Sequence, residues 1–113
     1  MHELSLAHSV VDILCEEGRR HQLEAITSFR LEVGVLRAVV PDLLRTCLGY
    51  ASKGTLVESA TVIIDEVAGK ARCNACNCEF TVDDLLFLCP ECGQVGGKIL
   101  AGEELRVVDL EGE

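Results

Sequence analysis

Apolar and polar positions alternate along this chain with two different periods. Between Leu4 and Arg19 the residues Leu4, Leu6, Ala7, Val10, Val11, Ile13 and Leu14 recur at about 100° per residue and fill one half of a cylinder. Ser5, Asp12, Glu16 and Arg19 take the other half, which predicts an amphipathic helix. Gly18 and the Arg19-Arg20 pair suit its end, where cations meet the negative pole of the helix dipole. From Ile26 to Val35 the period falls to two. Phe29, Leu31, Val33 and Val35 lie on one face, with Arg30, Glu32 and Gly34 on the other, so a half-buried strand is expected. Pro41 and Asp42 then open a second helix whose apolar arc is Leu43, Leu44, Cys47, Leu48, Tyr50 and Ala51, stopped by Lys53 and Gly54. Val62 to Val67 reads as a β-branched strand and Leu105 to Leu110 as a short final one.

This order predicts an α+β fold, with two helices packed on a small three-stranded sheet. Four cysteines interrupt it: Cys73 and Cys76, then Cys89 and Cys92, each pair spaced C-x2-C, with 12 residues between pairs. Two such knuckles can close four thiolates tetrahedrally around one ion, as in a structural zinc site. So few apolar groups lie in this stretch that metal is needed to offset the entropy of ordering it. The expected organisation is therefore residues 1–68 plus 99–113 as one α/β domain and 69–98 as an inserted zinc ribbon with a rubredoxin-like knuckle at Cys89-Pro90-Glu91-Cys92-Gly93. Gly69, Gly96, Gly97 and Gly102 bracket the ribbon as candidate hinges.

With 113 residues, 49% hydrophobic and 26% charged, the composition is that of a globular domain, and no internal repeat or low-complexity tract appears. No apolar run reaches the length of a membrane span, and the N-terminus lacks the pattern of a secretory signal, so a cytoplasmic location is expected. Seven cysteines in a reducing compartment argue for thiolate ligands and free thiols over disulfides. The formal net charge of −9 would become about −11 with four thiolates and one divalent zinc. Such a field disfavours nucleic-acid partners, and in the ribbon Lys70, Arg72 and Lys98 are outnumbered by Glu79, Asp83, Asp84 and Glu91. Only Phe80 and Phe87 could stack bases there.

Four thiolates leave no open position for water, which assigns the quartet to architecture; iron and one-electron transfer is the chemical alternative. Cys78 stands beside the quartet as a free thiol able to exchange with a neighbour as ligand, while Cys15 and Cys47 read as core thiols. A different donor set lies at Met1-His2-Glu3. A bulky second residue should preserve the initiator methionine, so the α-amine of Met1, the His2 amide nitrogen and an imidazole nitrogen can form fused chelate rings. Glu3 can add its carboxylate or its own amide nitrogen. Nitrogen donors in a planar or tetragonal array favour nickel(II) or copper(II) over zinc. The competing reading is an ordinary polar helix entry. His8 is a boundary residue of the first helix, and His21 a solvated one. No G-x-S-x-G, phosphate loop or H-E-x-x-H is present, so an enzyme is not expected.

Met1-His2-Glu3-Leu4-Ser5-Leu6 at the start, Val33-Gly34 at the strand end, Val40-Pro41, Lys53-Gly54-Thr55, and then C-x2-C and C-P-x-C together resemble the HypA/HybF family of hydrogenase-maturation nickel metallochaperones, over essentially the whole chain. The resemblance implies transient nickel at Met1, His2 and Glu3, and structural zinc at Cys73, Cys76, Cys89 and Cys92. It further implies nickel delivery to the [NiFe]-hydrogenase large-subunit precursor together with a HypB-type GTPase, by a monomer or homodimer. Some relatives carry histidines beside the zinc cysteines; this chain has none between residues 70 and 98. The alternative function is a zinc-ribbon protein-interaction module without nickel cargo.

Overall fold

The computed structural model describes residues 2–82 and 87–113, so Met1 and the acidic pair Asp83 and Asp84 lie outside the described residues. Among the described residues two helices and six strands form an α+β fold in the order α1 (His2–Arg20), β1 (Ile26–Gly34), α2 (Pro41–Ala51), β2 (Thr61–Val67), β3 (Gly69–Cys73), β4 (Glu79–Val82), β5 (Gly97–Ala101) and β6 (Leu105–Gly112). The strands make two three-stranded sheets, ordered β2-β1-β6 and β4-β3-β5. The chain divides into two compact units, Met1–Leu31 with Val39–Asp65 and Arg106–Glu113, and Glu32–Ala38 with Glu66–Leu105. The second is wider than the 69–98 ribbon drawn from the cysteine spacing, because β5 pairs with β3.

In the first unit α1 buries Glu3, Ala7, Val10, Val11, Leu14 and Gly18, a stripe that advances by three or four residues at each step. The stripe is narrower than the predicted half-cylinder. Leu4 is 41% and Ile13 49% exposed, because a helix in a layered fold covers only the face it turns to its neighbours. The helix also begins two residues earlier than its apolar pattern suggested, since His2 and Glu3 carry no hydrophobic signal. Gly18 does not end it. A Cβ there would come within 2.9 Å of the Leu56 side chain, so Gly18 is a packing notch. The end is a Schellman turn, with the Gln22 N–H donating to the Arg19 carbonyl, the Leu23 N–H to the Gly18 carbonyl, and Gln22 in the left-handed region at φ 59°.

The alternation of β1 holds from Phe29 to Val33, with Phe29, Leu31 and Val33 buried on one face, while Ile26 and Gly34 are buried out of phase with it. Val35 departs from the predicted strand and opens a 3-10 turn, Val35–Arg37. On α2 only Leu44 and Leu48 are buried. Leu43 and Tyr50 are exposed, Tyr50 to 65%, and Tyr50 carries the Lys53 ammonium 5.2 Å from its ring centroid.

In the second unit β3 alternates inward Ala71 and Cys73 with outward Lys70 and Arg72, and β4 turns Phe80 and Val82 inward. Antiparallel register sets Ala71 opposite Phe80 and Arg72 opposite Glu79, where the two charged side chains pair at 3.0 Å. The buried core is Ala71, Cys73, Phe80, Val82 and Cys89, with Leu36, Cys78 and Phe87 packed against it. Two of its five buried members are candidate ligands, so the apolar part alone is too small to hold the unit.

Of the glycines expected to act as hinges, Gly69 and Gly102 are crossing points instead, where they meet each other and Gly102 meets Gly34. A Cβ on Gly34 would overlap the Gly102 carbonyl, and one on Gly69 the Val82 carbonyl. Gly102 sits at φ +113°, and a Cβ there would lie 2.7 Å from the Gly69 Cα. The close approach is fixed by hydrogen bonds from the Gly34 N–H to the Glu104 carbonyl (2.7 Å) and from the Leu36 N–H to the Gly102 carbonyl (2.8 Å). Gly102→Ala combines a disfavoured backbone conformation with overpacking, and chemical denaturation should show a loss of about 2–5 kcal/mol.

Candidate metal centres

Each cysteine pair sits on a closed turn, and the two turns repeat one pattern. In the first, the Asn77 N–H donates to the Cys73 carbonyl (3.0 Å) and the Cys73 N–H to the Cys78 carbonyl (2.8 Å). In the second, the Gly93 N–H donates to the Cys89 carbonyl (3.0 Å) and the Cys89 N–H to the Gln94 carbonyl (3.0 Å). Asn77 and Gly93, each one residue past the second cysteine, are both left-handed at φ 64° and 74°. The turns thereby aim backbone N–H groups at sulfur, the Ala75 N–H reaching the Cys73 Sγ at 3.3 Å. The isolated bridge between Leu88 and Val95 closes the base of the second turn.

The four sulfurs converge. Cys73 and Cys92 Sγ are 3.5 Å apart, Cys76 and Cys89 Sγ 3.6 Å, and all four lie within 4.8 Å of one another. A zinc–sulfur distance of about 2.3 Å gives a tetrahedral edge of about 3.8 Å, so the donor set fits zinc in number, type and spacing. Cys73 and Cys89 are buried, and Cys76 and Cys92 are exposed.

Their protonation shows why a cation belongs among them. The Cys73 thiol is brought down to about 7 by the N–H groups of Cys76 and Ala75, against the opposing effect of burial. The Cys89 thiol is lowered, led by the Cys92 N–H. At Cys76 the Cys78 N–H favours the thiolate, but burial and the neighbouring thiols of Cys89, Cys73 and Cys92 push it up to about 12. Cys92 is raised in the same way, the Gln94 N–H being outweighed by burial and by the thiols of Cys73 and Cys89. Four adjacent sulfurs cannot all become thiolates unless a positive ion joins them.

The second candidate site is the start of α1. The His2 side chain is 51% exposed, and its Nδ1 lies 3.5 Å from Glu3 Oε1. Glu3 is only 6% exposed. Its other oxygen, Oε2, accepts the Val40 N–H at 3.3 Å, tying the first turn of α1 to the residue that caps α2. The Val40 N–H, followed by Glu3's own N–H, holds this carboxyl below its usual range despite burial, and the imidazole of His2 and the chain's amino end act in the same direction. This tether was missed in the sequence because nothing in Val40-Pro41 announces an acceptor arriving from another helix.

A carboxyl lowered on folding stabilises the protein above its unfolded value of 4.5 and ceases to as pH falls through its folded value. The stability of the protein relative to Glu3→Gln should therefore be constant above pH about 5 and should shrink steadily below it in thermal melts.

Among the described residues, the cysteine quartet is the one group of three or more His, Cys, Asp or Glu side chains whose ligand atoms converge. His8 is exposed on α1 and is not part of it, and His21 lies 3.5 Å from Glu17 on the surface. Cys15 and Cys47 are half-buried on α1 and α2, outside the quartet. Among the described residues no helix is long and apolar enough to cross a membrane.

An α+β chain that brings four cysteine sulfurs together in one compact unit has the build of a metal-binding protein. The family profile described as hydrogenase/urease nickel incorporation, metallochaperone, HypA, matches residues 1–112, and the chain belongs to that family. It is 44% identical to the hydrogenase maturation factor HypA of Geotalea daltonii over 112 residues, covering 97% of each chain. It is 39% identical to the factor of the same name from Rhizobium leguminosarum bv. viciae, covering 98% of each. The solution structure of the nickel metallochaperone HypA from Helicobacter pylori has the same fold, with a TM-score of 0.72 at 22% identity, covering 97% of this chain and 96% of that one. A second HypA solution structure gives a TM-score of 0.70 at 26% identity, covering 100% and 97%.

Proposed function

We propose that this protein collects one nickel ion at the start of α1 and hands it on during maturation of the [NiFe]-hydrogenase large subunit, while zinc held by Cys73, Cys76, Cys89 and Cys92 supplies the folding energy of the second unit. The observation that carries the nickel assignment is the division of labour within the Glu3 carboxylate. Oε2 is committed to the Val40 N–H, whereas Oε1 faces His2 Nδ1 at 3.5 Å. That separation needs to shorten by about 0.6 Å to reach the about 2.9 Å of neighbouring ligands each about 2.0–2.1 Å from one ion, a movement open to the exposed His2 ring. With the Met1 amine and the His2 amide completing fused rings, the donors are nitrogen and oxygen, a set suited to nickel.

The first turn of α1 supports this further, because its N–H groups have no partner within the helix, and an amide that ligates after losing its proton breaks no helical bond. The positive helix end also favours the neutral, ligating amine, and the carboxylate offsets the charge of the incoming ion. Exposure of the imidazole leaves positions open, so a receiving site can replace the ligands one at a time. The closed sulfur site offers no such route. The residues therefore act by capture and release with no bond of a substrate broken, and the acceptors would be a HypB-type GTPase and the hydrogenase precursor.

Equilibrium dialysis of zinc-loaded protein beginning at Met1 tests this. One equivalent of nickel should bind without displacing zinc, and a competing chelator should remove the nickel long before the zinc. Nickel uptake in step with zinc loss would contradict the assignment.

A further inference from the structure

A fifth sulfur lies against the four-sulfur centre. Cys78 packs on the core that contains Cys73 and Cys89, and its thiol donates to the Glu79 carbonyl at 3.4 Å. Cys78 is half-buried, between the buried members of the quartet, Cys73 and Cys89, and the exposed ones, Cys76 and Cys92, in its degree of exposure. Its main chain is already fixed, since the Cys78 carbonyl accepts the Cys73 N–H at 2.8 Å. A change of side-chain rotamer would thus suffice to move its sulfur. Cys73 and Cys78 are spaced C-x4-C, within the C-x2-4-C range that zinc knuckles use, just as Cys73 and Cys76 are.

We propose that Cys78 is a reserve zinc ligand: the first knuckle presents Cys73 with either Cys76 or Cys78, and Cys89 and Cys92 complete four thiolates in both arrangements. The exchange is balanced. The incoming Cys78 thiol gives up its proton as the outgoing Cys76 thiolate takes one up, so the site keeps its charge and coordination number, and Cys76 becomes an exposed free thiol. The inference rests on zinc occupying the quartet, and is independent of where nickel binds.

Alkylation of the zinc-loaded full chain with iodoacetamide, mapped by mass spectrometry while a chromophoric chelator reports released zinc, reads this directly. Cys76 should react first among the four ligands, with zinc retained. In Cys78→Ser, alkylation of Cys76 should release zinc in step. Zinc affinity adds a second reading that does not depend on alkylation. Cys76→Ser should stay within about tenfold of the unaltered protein, and adding Cys78→Ser should cost about a hundredfold more, one of four thiolate bonds being lost. In cobalt-substituted Cys76→Ser, the charge-transfer absorption should still count four thiolates.

Equal zinc loss from Cys76→Ser and from the double variant would overturn the proposal. So would zinc release at the same rate on Cys76 alkylation whether or not Cys78 is present, a comparison that stands even where Cys76→Ser fails to fold. Absence of zinc from the unaltered protein would instead remove the quartet's assignment and this inference with it.

Discussion

Replacing Cys89 with serine should empty the zinc site and unfold the second unit. Cys89 is buried, shares a sulfur hydrogen bond with Cys76 at 3.6 Å, and belongs to the five-residue core that also contains Cys73. Without metal, the core of the described residues keeps Ala71, Phe80 and Val82, helped by Leu36 and Phe87, to hold together the segments Glu32–Ala38 and Glu66–Leu105. Zinc in such sites contributes on the order of 10 kcal/mol of folding free energy at neutral pH, more than a core of that size can replace. Zinc content should fall from one equivalent to below about a tenth, and amide protection across β3, β4 and β5 should disappear. The helical circular dichroism of α1 and α2, whose buried stripes belong to the first unit, should persist. Chelation of zinc from the unaltered protein should reproduce the same state, which separates the loss of metal from any direct effect of the serine.

Replacing His2 with alanine should abolish useful nickel binding and leave zinc alone. The imidazole is the aromatic nitrogen donor of the proposed set, and its loss breaks a chelate ring as well as one bond. Changes that touch only the partners of a metal ligand already cost about 10–100-fold in affinity, so removal of the ligand itself should exceed about a hundredfold. Isothermal titration with nickel reads the loss, and zinc content and the thermal melt should be unchanged. The half-exposed His2 ring packs into neither core. Acetylating the Met1 amine should have a comparable effect through a different donor, while His8→Ala should have little.

The fold was legible in the sequence where one local signal decided the outcome. The alternation from Phe29 to Val33 yields a strand because its buried face must be continuous, and Pro41 fixes the start of α2. The cysteine spacing foretold the sulfur cluster, since few other arrangements of two C-x2-C pairs satisfy four thiolates.

Where tertiary context chose among locally equivalent options, the sequence was silent. Leu4 and Ile13 are as apolar as Leu14, yet only Leu14 turns to a neighbouring layer. Ile99-Leu100-Ala101 is too short to declare itself as a strand, and it is the pairing of Ile99 with Ala71 and of Ala101 with Lys70 that makes it one. Gly69 and Gly102 look like flexible joints in a linear reading because their close approach to each other, and that of Gly102 to Gly34, is not a local property. Glu3 is the most instructive case. Its acid side chain suggested an exposed helix entry or a ligand, whereas it is buried and tied to Val40 through one oxygen, leaving the other beside His2.

X-ray absorption at the nickel and zinc edges of one sample, loaded with one equivalent of each ion and beginning at Met1, examines the separation of the two sites most directly. The zinc edge should show four sulfur neighbours at about 2.3 Å, and the nickel edge only nitrogen and oxygen neighbours with the multiple scattering of one imidazole. Sulfur in the first shell of nickel, with the imidazole signature absent, would contradict the account.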